Sequence, residues 1–282
     1  MIIIKNNHLN AIREAIQNYS GIILERLQKS RVEKIIISQM EQLNNPNIDS
    51  YIELLKDSNN TRIMDDLIGS ATVGESYMFR NPKQFDYMID CFFPEFFQKN
   101  KANFPMRIWS AGCSRGEEAY SIAMVARDYQ VKHPEAKFTI NAGDISKKNL
   151  QIAKSGIYGN NSLRGKKEYF EGKLGFKMGC SNDNGDFAVS EEIKQMVYFQ
   201  WLNLKDINKL KIMHGSDIIF CRNVLIYFDE ALRKKLLEIF FECLNPGGIL
   251  FIGESECFPF PANTFVAQNN QGSYAYKKPD KQ

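Results

Sequence analysis

The sequence contains few cysteines and histidines, and they are not spaced as metal or disulfide sites usually are. No two of its six cysteines have the CxxC spacing, and the three histidines, His8, His133 and His214, are far apart. Structural zinc sites take four Cys or His ligands, usually in closely spaced pairs. We therefore expect free thiols, no bound metal, and neither a metalloenzyme nor a Cys-His nucleophile.

The chain also lacks long apolar runs and a strong excess of one charge. Its longest apolar runs, such as residues 249–253, are much shorter than the ~20 residues that cross a bilayer. The N-terminal residues lack the basic start and long apolar stretch of a signal peptide. A net charge of +3 does not favour general nucleic-acid binding. These features predict a cytoplasmic protein that neither enters the membrane nor binds nucleic acid.

The apolar residues that are present divide the chain into two parts. Up to about residue 72 they follow helical spacing, first from Leu9 to Tyr19 with Gly21 as a stop, and then from Ile22 to Leu43. From about residue 105, short apolar runs alternate with helical patterns. Such alternation predicts a parallel sheet with crossover helices. The predicted strands are 107–111, 138–144, 197–202, 217–221 and 249–253.

The helices predicted between these strands are 117–129, 147–155 and one that Asp229 caps and residues 245–248 end. Glycine-rich residues at about 157–195 interrupt the alternation, and residues 182–185 are a turn signal. We expect a small β-rich insertion there, built as a pair of hairpins. The aromatic residues Phe92, Phe93, Phe96 and Phe97 have helical spacing and are expected in the core.

A glycine-rich turn follows the first predicted strand, where doubly wound α/β folds bind ligands. Gly112 and Gly116 frame this turn, but neither GxGxxG nor the P-loop pattern is present. Glu117 and Glu118 begin the next helix, where carboxylates would repel a pyrophosphate. This pattern disfavours NAD and ATP. It favours a cofactor with hydroxyls and a positive charge, such as S-adenosylmethionine.

Asp144 ends the second predicted strand at the same edge of the sheet. Its carboxylate could accept hydrogen bonds from two ribose hydroxyls, as acidic residues do in related folds. It could also cap the helix that begins near Ser146, and the two roles are compatible.

Four segments together resemble one family: residues 72–80 (TVGESYMFR), 108–121 (IWSAGCSRGEEAYS), 143–145 with 153–158 (GDI and AKSGIY), and 219–228 (IFCRNVLIYF). They are similar to the CheR-type chemotaxis receptor methyltransferases, which use S-adenosylmethionine to methylate receptor glutamates. The resemblance covers essentially the whole chain. It implies an α/β fold with a Rossmann-like methyltransferase sheet, a small inserted β-subdomain and an all-helical N-terminal domain.

The resemblance also implies domain boundaries and site residues. Residues 1–72 would dock the receptor, residues 73–104 would form a linker and first helices, and residues 105–282 would form the methyltransferase domain. The implied cofactor contacts are taken together with Gly112 of the glycine-rich turn. They are Gly74, Ser76, Arg80, Gly112, Glu118, Asp144, Asn203, Leu204, Arg222 and Asn223. Cys113 and Arg115 depart from the family pattern, in which small residues or threonine are common.

Arg80 and Tyr227 are the implied catalytic residues. The planar guanidinium of Arg80 could hold a carboxylate, either that of the substrate or that of the cofactor. The ring of Tyr227 could lie beside the sulfonium, because aromatic faces attract cations. A glutamate substrate is ionised at neutral pH and needs no general base.

Basic residues on the second helical segment suggest a partner surface, although a solvated helix face would explain them equally well. They are Arg26, Lys29, Arg31 and Lys34. The resemblance implies that they dock the acidic cytoplasmic helical bundle of methyl-accepting chemoreceptors, with a receptor C-terminal tether at the β-subdomain as a further contact. A monomer is expected. The alternatives are a CheR-like signalling module that binds the cofactor without turnover, and an unrelated dehydrogenase, which the missing GxGxxG disfavours.

Overall fold

The computed structural model describes residues 4–26, 29–45, 47–57, 61–72, 76–100, 104–164, 179–181, 186–256, 258–260, 264–270 and 272–280. None of the helices in these ranges is long and apolar enough to cross a membrane. The same ranges contain no group of three or more His, Cys, Asp or Glu side chains that could hold a metal ion.

The N-terminal part is helical, as the apolar spacing predicts. It contains α1 (Asn6–Ser20), α2 (Lys29–Gln42), α3 (Ile48–Lys56) and α4 (Arg62–Ala71). Gly21 ends α1 in a left-handed conformation, and its N–H donates to the Gln17 carbonyl at 2.9 Å. A short 3-10 turn, Leu24–Arg26, then separates α1 from α2, so the helical pattern of residues 22–43 is not one continuous helix.

Two further helices lead to the sheet. They are α5 (Pro82–Tyr87) and α6 (Phe93–Asn100), joined by a π-helical turn at Met88–Phe92. The rings of Phe93 and Phe97 lie 5.0 Å and 5.4 Å from the ring of Phe138, between centroids. These contacts confirm that this part of the aromatic cluster belongs to the core.

In the described part of the chain, the main sheet has five parallel strands: β1 (Met106–Ala111), β2 (Phe138–Asp144), β6 (Val197–Trp201), β7 (Ser216–Cys221) and β8 (Leu244–Ile252). Two edge strands, β9 (Val266–Asn270) and β10 (Ser273–Lys277), extend it by antiparallel pairing. The order across the sheet is β6-β2-β1-β7-β8-β10-β9. The helices α7 (Glu117–Lys132) and α8 (Lys147–Ser155) follow β1 and β2, and the short helix α9 (Glu191–Lys194) precedes β6. The helices α10 (Ile207–Leu210) and α11 (Glu230–Cys243) follow β6 and β7. From β1 the chain continues through β2 to β6 on one side of the sheet. It then crosses back to form β7 and β8 on the other side of β1. A cleft therefore opens at the carboxyl ends of β1 and β7.

Three features of the sheets differ from the expectation. The antiparallel edge strands β9 (Val266–Asn270) and β10 (Ser273–Lys277) were not predicted, because their polar residues resemble a loop. Residues 245–248 lie inside β8, where the register with β7 shifts, rather than in a separate loop. The described residues of the insertion form one three-stranded antiparallel sheet from β3 (Ile157–Tyr158), β5 (Phe187–Val189) and β4 (Gly179–Ser181), rather than two hairpins.

The N-terminal helices share a core with one face of the main sheet. Buried residues of α1, α2, α3 and α4 belong to the same apolar cluster as Trp109 and Ala111 of β1 and Leu236 of α11. The opposite face of the sheet packs against α5, α6 and α7. As a result, the end of α1 lies against the carboxyl edge of the sheet, where the cleft opens.

Candidate functional site

A cavity that opens to solvent occupies the cleft. Its empty volume is about 990 Å³, a figure that includes the solvent-filled space at the opening. Every implied site residue that the structure describes lines it, although these residues come from distant parts of the sequence. They are Ser76, Arg80, Gly112, Glu118, Asp144, Asn203, Leu204, Arg222, Asn223 and Tyr227. Gly74 lies outside the described residues.

The glycine-rich turn lies against the loop that follows β7. Gly112 has a φ of 80°, and a Cβ atom there would lie 2.6 Å from a methyl carbon of Val224. Gly116 has a φ of 91°, and a Cβ atom there would lie 2.8 Å from the Cβ of Ala153. Both positions need glycine because an L side chain would be strained and would collide. The two glycines thus let the turn approach its neighbours closely.

Asp144 supports the glycine-rich turn as well as lining the cavity. One carboxylate oxygen accepts the Ser114 N–H at 2.7 Å and the other accepts the Ser146 N–H at 2.8 Å. The Ser146 hydroxyl itself caps α8 by accepting the Asn149 N–H. Burial raises the pKa of Asp144, and the two backbone hydrogen bonds oppose this rise. Each oxygen keeps capacity to accept a further hydrogen bond from a ligand.

The two acidic residues at the start of α7 have different environments. Glu118 lines the cavity and accepts a hydrogen bond from the Ser110 hydroxyl at 2.7 Å. Burial raises its pKa, and the positive charge of Arg222 counteracts part of that rise. Glu117 is fully buried and is not part of the cavity wall. Of these two carboxylates, Glu118 therefore faces the cavity and Glu117 does not.

Glu117 instead joins three segments of the chain. Its carboxylate accepts hydrogen bonds from Ser76 at 2.8 Å and Ser162 at 3.1 Å, and it pairs with Arg115 at 2.8 Å. Ser76 lines the cavity, but its hydroxyl hydrogen is donated to Glu117. Arg115 lies in the glycine-rich turn and departs from the family pattern. Its structural partner is Glu117, the first residue of α7.

Arg222 is a buried cation in the cavity wall. Its side chain is 3% exposed, and one terminal nitrogen lies 3.5 Å from a carboxylate oxygen of Glu118. The other terminal nitrogen donates to the carbonyl of Arg80. The Nε atom has no hydrogen-bond partner among the described residues. A buried N–H without a partner is uncommon, and an acceptor atom of a bound ligand could satisfy it.

Arg80 and Tyr227 both line this cavity, as the resemblance implies. The guanidinium carbon of Arg80 lies 5.8 Å from the ring centroid of Tyr77. The Tyr227 hydroxyl donates to the carbonyl of Thr72 at 3.4 Å. Burial raises the pKa of Tyr227, while the nearby charges of Arg31 and Arg80 lower it. A tyrosine hydroxyl and two arginine charges therefore act on the same region of the cavity.

Asn203 lines the cavity, but its side-chain amide is already engaged. Its nitrogen donates to the Tyr19 carbonyl at 2.7 Å, and its oxygen accepts the Lys205 N–H at 3.0 Å. Ser20 and Ile22, at the end of α1, also form part of the wall. This contribution of α1 was not predicted from the sequence. Gly21, recognised only as a helix stop, was the signal that the chain turns there.

Glu256 is a further functional residue that was not predicted from the sequence. Its carboxylate is 2% exposed and accepts three backbone N–H groups: Asn223 at 2.7 Å, Gly253 at 2.7 Å and Ile226 at 3.2 Å. These bonds fix the loop between β7 and α11. Since Asn223 and Tyr227 lie on that loop, Glu256 sets their position without lining the cavity itself. An acidic residue just after β8, at the same sheet edge, was the available signal.

We predict that Glu256→Gln lowers the turnover number of the methyl transfer that the resemblance implies by roughly tenfold, because one acceptor oxygen is replaced by an NH₂ group that faces a backbone N–H. Affinity for S-adenosylhomocysteine, the product form of the implied cofactor, should change much less. Steady-state kinetics and calorimetry measure the two quantities. Glu238→Gln, at an exposed position of α11 outside the cavity wall, is the control. Wild-type turnover in a folded Glu256→Gln variant would contradict this role.

The four basic residues of the second helical segment do not share one environment. Lys29 is exposed and lies 3.9 Å from Glu33, and Lys34 is also exposed. Arg31 is half-buried, and its charge reaches Tyr227. The backbone of Arg26 belongs to the short 3-10 turn, and its side chain lies outside the described residues. Lys29 and Lys34 therefore belong to the exposed surface, whereas Arg31 lies close to the cavity.

Comparison with known proteins identifies the family. The family described as CheR methyltransferase, SAM binding domain, matches residues 74–273. A chemotaxis protein methyltransferase of Borreliella burgdorferi is 35% identical, covering 90% of this chain and 89% of its own length. Chemotaxis protein methyltransferase 2 of Vibrio cholerae is 30% identical over 99% of this chain and 96% of its own. The corresponding Escherichia coli protein is 30% identical over 96% and 91%.

Likeness to solved structures is weaker. The rRNA methyltransferase aviRa from Streptomyces viridochromogenes has a TM-score of 0.42 and 9% identity, over 73% of this chain and 86% of its own. That likeness is too low to add to the assignment, which the sequence matches establish. The chain belongs to the CheR methyltransferase family.

Proposed function

We propose that this protein transfers the methyl group of S-adenosylmethionine to glutamate side chains of chemoreceptors, forming the methyl esters that serve sensory adaptation. One observation carries the proposal: the cavity gathers all the described residues that the resemblance implies as cofactor contacts or catalytic residues. The relatives named chemotaxis protein methyltransferases support the same substrate class.

The residues of the cavity wall fit this cofactor. Asp144 and Glu118 supply acceptors for hydroxyl or ammonium groups, and the unpaired Nε of Arg222 supplies a buried donor for a carboxylate. Leu202 and Leu204 supply an apolar wall for a base. When bound, the cofactor provides a methyl group on a positively charged sulfur. We propose that Asp144 holds the ribose and that Glu118 holds the ammonium group.

The catalytic task of this chain is positioning. A glutamate carboxylate is already nucleophilic at neutral pH, so the site has to align it and exclude water. We propose that Arg80 orients a carboxylate with its planar guanidinium and that Tyr227 lies beside the sulfonium. Their joint presence in one cavity favours an enzyme over a CheR-like module that binds the cofactor without turnover.

The helical N-terminal residues 1–72 would dock the receptor bundle, residues 73–104 would link, and residues 105–282 would perform the transfer. A receptor tether at the β-subdomain, a monomeric state and a cytoplasmic location complete the proposal, on the family resemblance. Incubation with labelled S-adenosylmethionine and receptor-containing membranes tests it. Label should enter a receptor-sized band. Cofactor binding without such transfer would favour the signalling module.

We predict that reversing Arg26, Lys29 and Lys34 to Glu lowers receptor methylation by roughly tenfold at low ionic strength, because complementary charge speeds the encounter with an acidic partner. Affinity for S-adenosylmethionine should not change. The loss should shrink as salt rises, since exposed charges are screened over about 8–10 Å at physiological ionic strength.

The matched control for this prediction reverses three other exposed lysines, Lys211, Lys234 and Lys235, and so changes the net charge equally. It should methylate the receptor like the wild type. Normal methylation by the first variant at low salt, measured as initial rates, would show that the basic residues of the second helical segment are only a solvated surface.

A further inference from the structure

The end of α1 forms part of the cofactor cavity although it belongs to the helical N-terminal part. Ser20 and Ile22 line the cavity on either side of Gly21, which turns the chain. A Cβ atom on Gly21 would lie 2.3 Å from a methyl carbon of Leu232 in α11. The turn at Gly21 therefore packs closely against α11. The wall of the cavity therefore depends on where α1 ends.

Side chains that follow β6 hold the C-terminal end of α1. The ammonium group of Lys205 donates to the carbonyl of Gln17 at 2.9 Å and also to the carbonyl of Asn18. The amide of Asn203 donates to the next carbonyl, that of Tyr19. The last carbonyls of a helix lack partners within the helix and carry partial negative charge. The Gln17 carbonyl also accepts the Gly21 N–H, so Lys205 gives it a second donor and supplies a donor to the Asn18 carbonyl. The positive charge of the lysine also favours the helix dipole.

A second anchor lies on the catalytic side. The Ile23 N–H donates to the Tyr227 carbonyl at 2.9 Å, and Ile22 pairs with Phe228 as an isolated β-bridge. The segment from Ser20 to Ile23 is consequently held between the loop after β6 and the loop after β7. Both of these loops also line the cavity.

We propose that Lys205 is a positioning residue that holds the end of α1 closed over the cofactor. This inference rests on the proposed function, because it concerns retention of S-adenosylmethionine and its product. Lys205 itself is absent from the cavity wall, so it acts through Ser20 and Ile22. Releasing its two hydrogen bonds lets the end of α1 fray, and the cofactor then leaves faster.

The test is the dissociation rate of S-adenosylhomocysteine from Lys205→Met, measured by displacement. Methionine keeps the apolar stem of lysine and removes the ammonium group. We expect release to become about three- to tenfold faster, the range for the net loss of one hydrogen bond, because the Gln17 carbonyl keeps the Gly21 N–H as a partner. Lys205→Arg, which keeps a donor and the charge, should restore most of the wild-type rate.

Lys209→Met is the matched control, since Lys209 is exposed and pairs with Asp206 on the same connection. It should release the product at the wild-type rate. An unchanged dissociation rate in Lys205→Met would overturn the inference. This holds even if the melting temperature of the variant falls, because lower stability with an unchanged dissociation rate is what a merely structural residue would give. Lys205→Gln serves the same test if the methionine variant does not fold. Failure of the wild type to bind S-adenosylhomocysteine would instead overturn the proposed function, and this inference with it.

Discussion

Replacing Arg80 with alanine is expected to lower the rate of receptor methylation by about 10²- to 10³-fold, the usual cost of removing a positioned donor from an active site. The guanidinium is close enough to Tyr227 and Glu118 for its charge to lower the pKa of both groups, although burial raises both more strongly. Arg80→Lys keeps the charge but loses the planar pair of donors. It should therefore retain more activity than Arg80→Ala.

Initial rates of methyl transfer, together with calorimetry of S-adenosylhomocysteine, measure this effect and its origin. A loss confined to the rate would place the substrate carboxylate on Arg80, whereas a parallel loss of affinity would place the cofactor carboxylate there. Arg62→Ala removes an arginine that is exposed to solvent on α4 and serves as the control. Full methylation by Arg80→Ala would remove Arg80 from the proposed site.

Replacing Asp144 with asparagine is expected to weaken S-adenosylhomocysteine binding by roughly 1–3 kcal/mol, or about 5- to 150-fold. Asparagine has the same shape, but one acceptor oxygen becomes an NH₂ group. That group would face either the Ser114 or the Ser146 N–H, both of which now donate to the carboxylate. The variant would therefore lose a ribose acceptor and loosen the glycine-rich turn together.

Calorimetry on the folded variant gives the affinity, and thermal unfolding shows whether the loss is local. Asp206→Asn is the control, because Asp206 caps α10 through a backbone N–H and asparagine caps helices about equally well. We expect the control to bind like the wild type. Unchanged affinity in Asp144→Asn would exclude this carboxylate from cofactor binding.

Much of the α/β part could be predicted because its signals are local. The strand Phe138–Asp144 and the helix Lys147–Ser155 have the predicted bounds. Each begins or ends at a residue with a clear local role, such as Ser146, whose hydroxyl caps the helix. Asp229 caps its helix in the same way, as predicted. The parallel order then brings the strand ends to one edge, which is why the motif residues could be expected together.

The contacts that the sequence did not predict join residues far apart in the chain. Asn203 and Lys205 hold carbonyls of α1 nearly 190 residues earlier in the sequence, and Glu256 holds the loop that starts at Asn223. Side chains that bond to a distant backbone leave no periodic pattern in a sequence. Glu117 is a related case, since the direction of its side chain depends on Ser162 of the insertion.

The most direct test of the central claim is the chemical nature of the transferred methyl group. Receptor labelled by the wild-type protein with methyl-labelled S-adenosylmethionine would be treated with mild base, and volatile methanol would be collected. A glutamyl methyl ester releases its label as methanol, and receptors with glutamine in place of the accepting glutamates should take up none. Label that resists base, or that still enters the glutamine receptor, would contradict glutamate O-methylation.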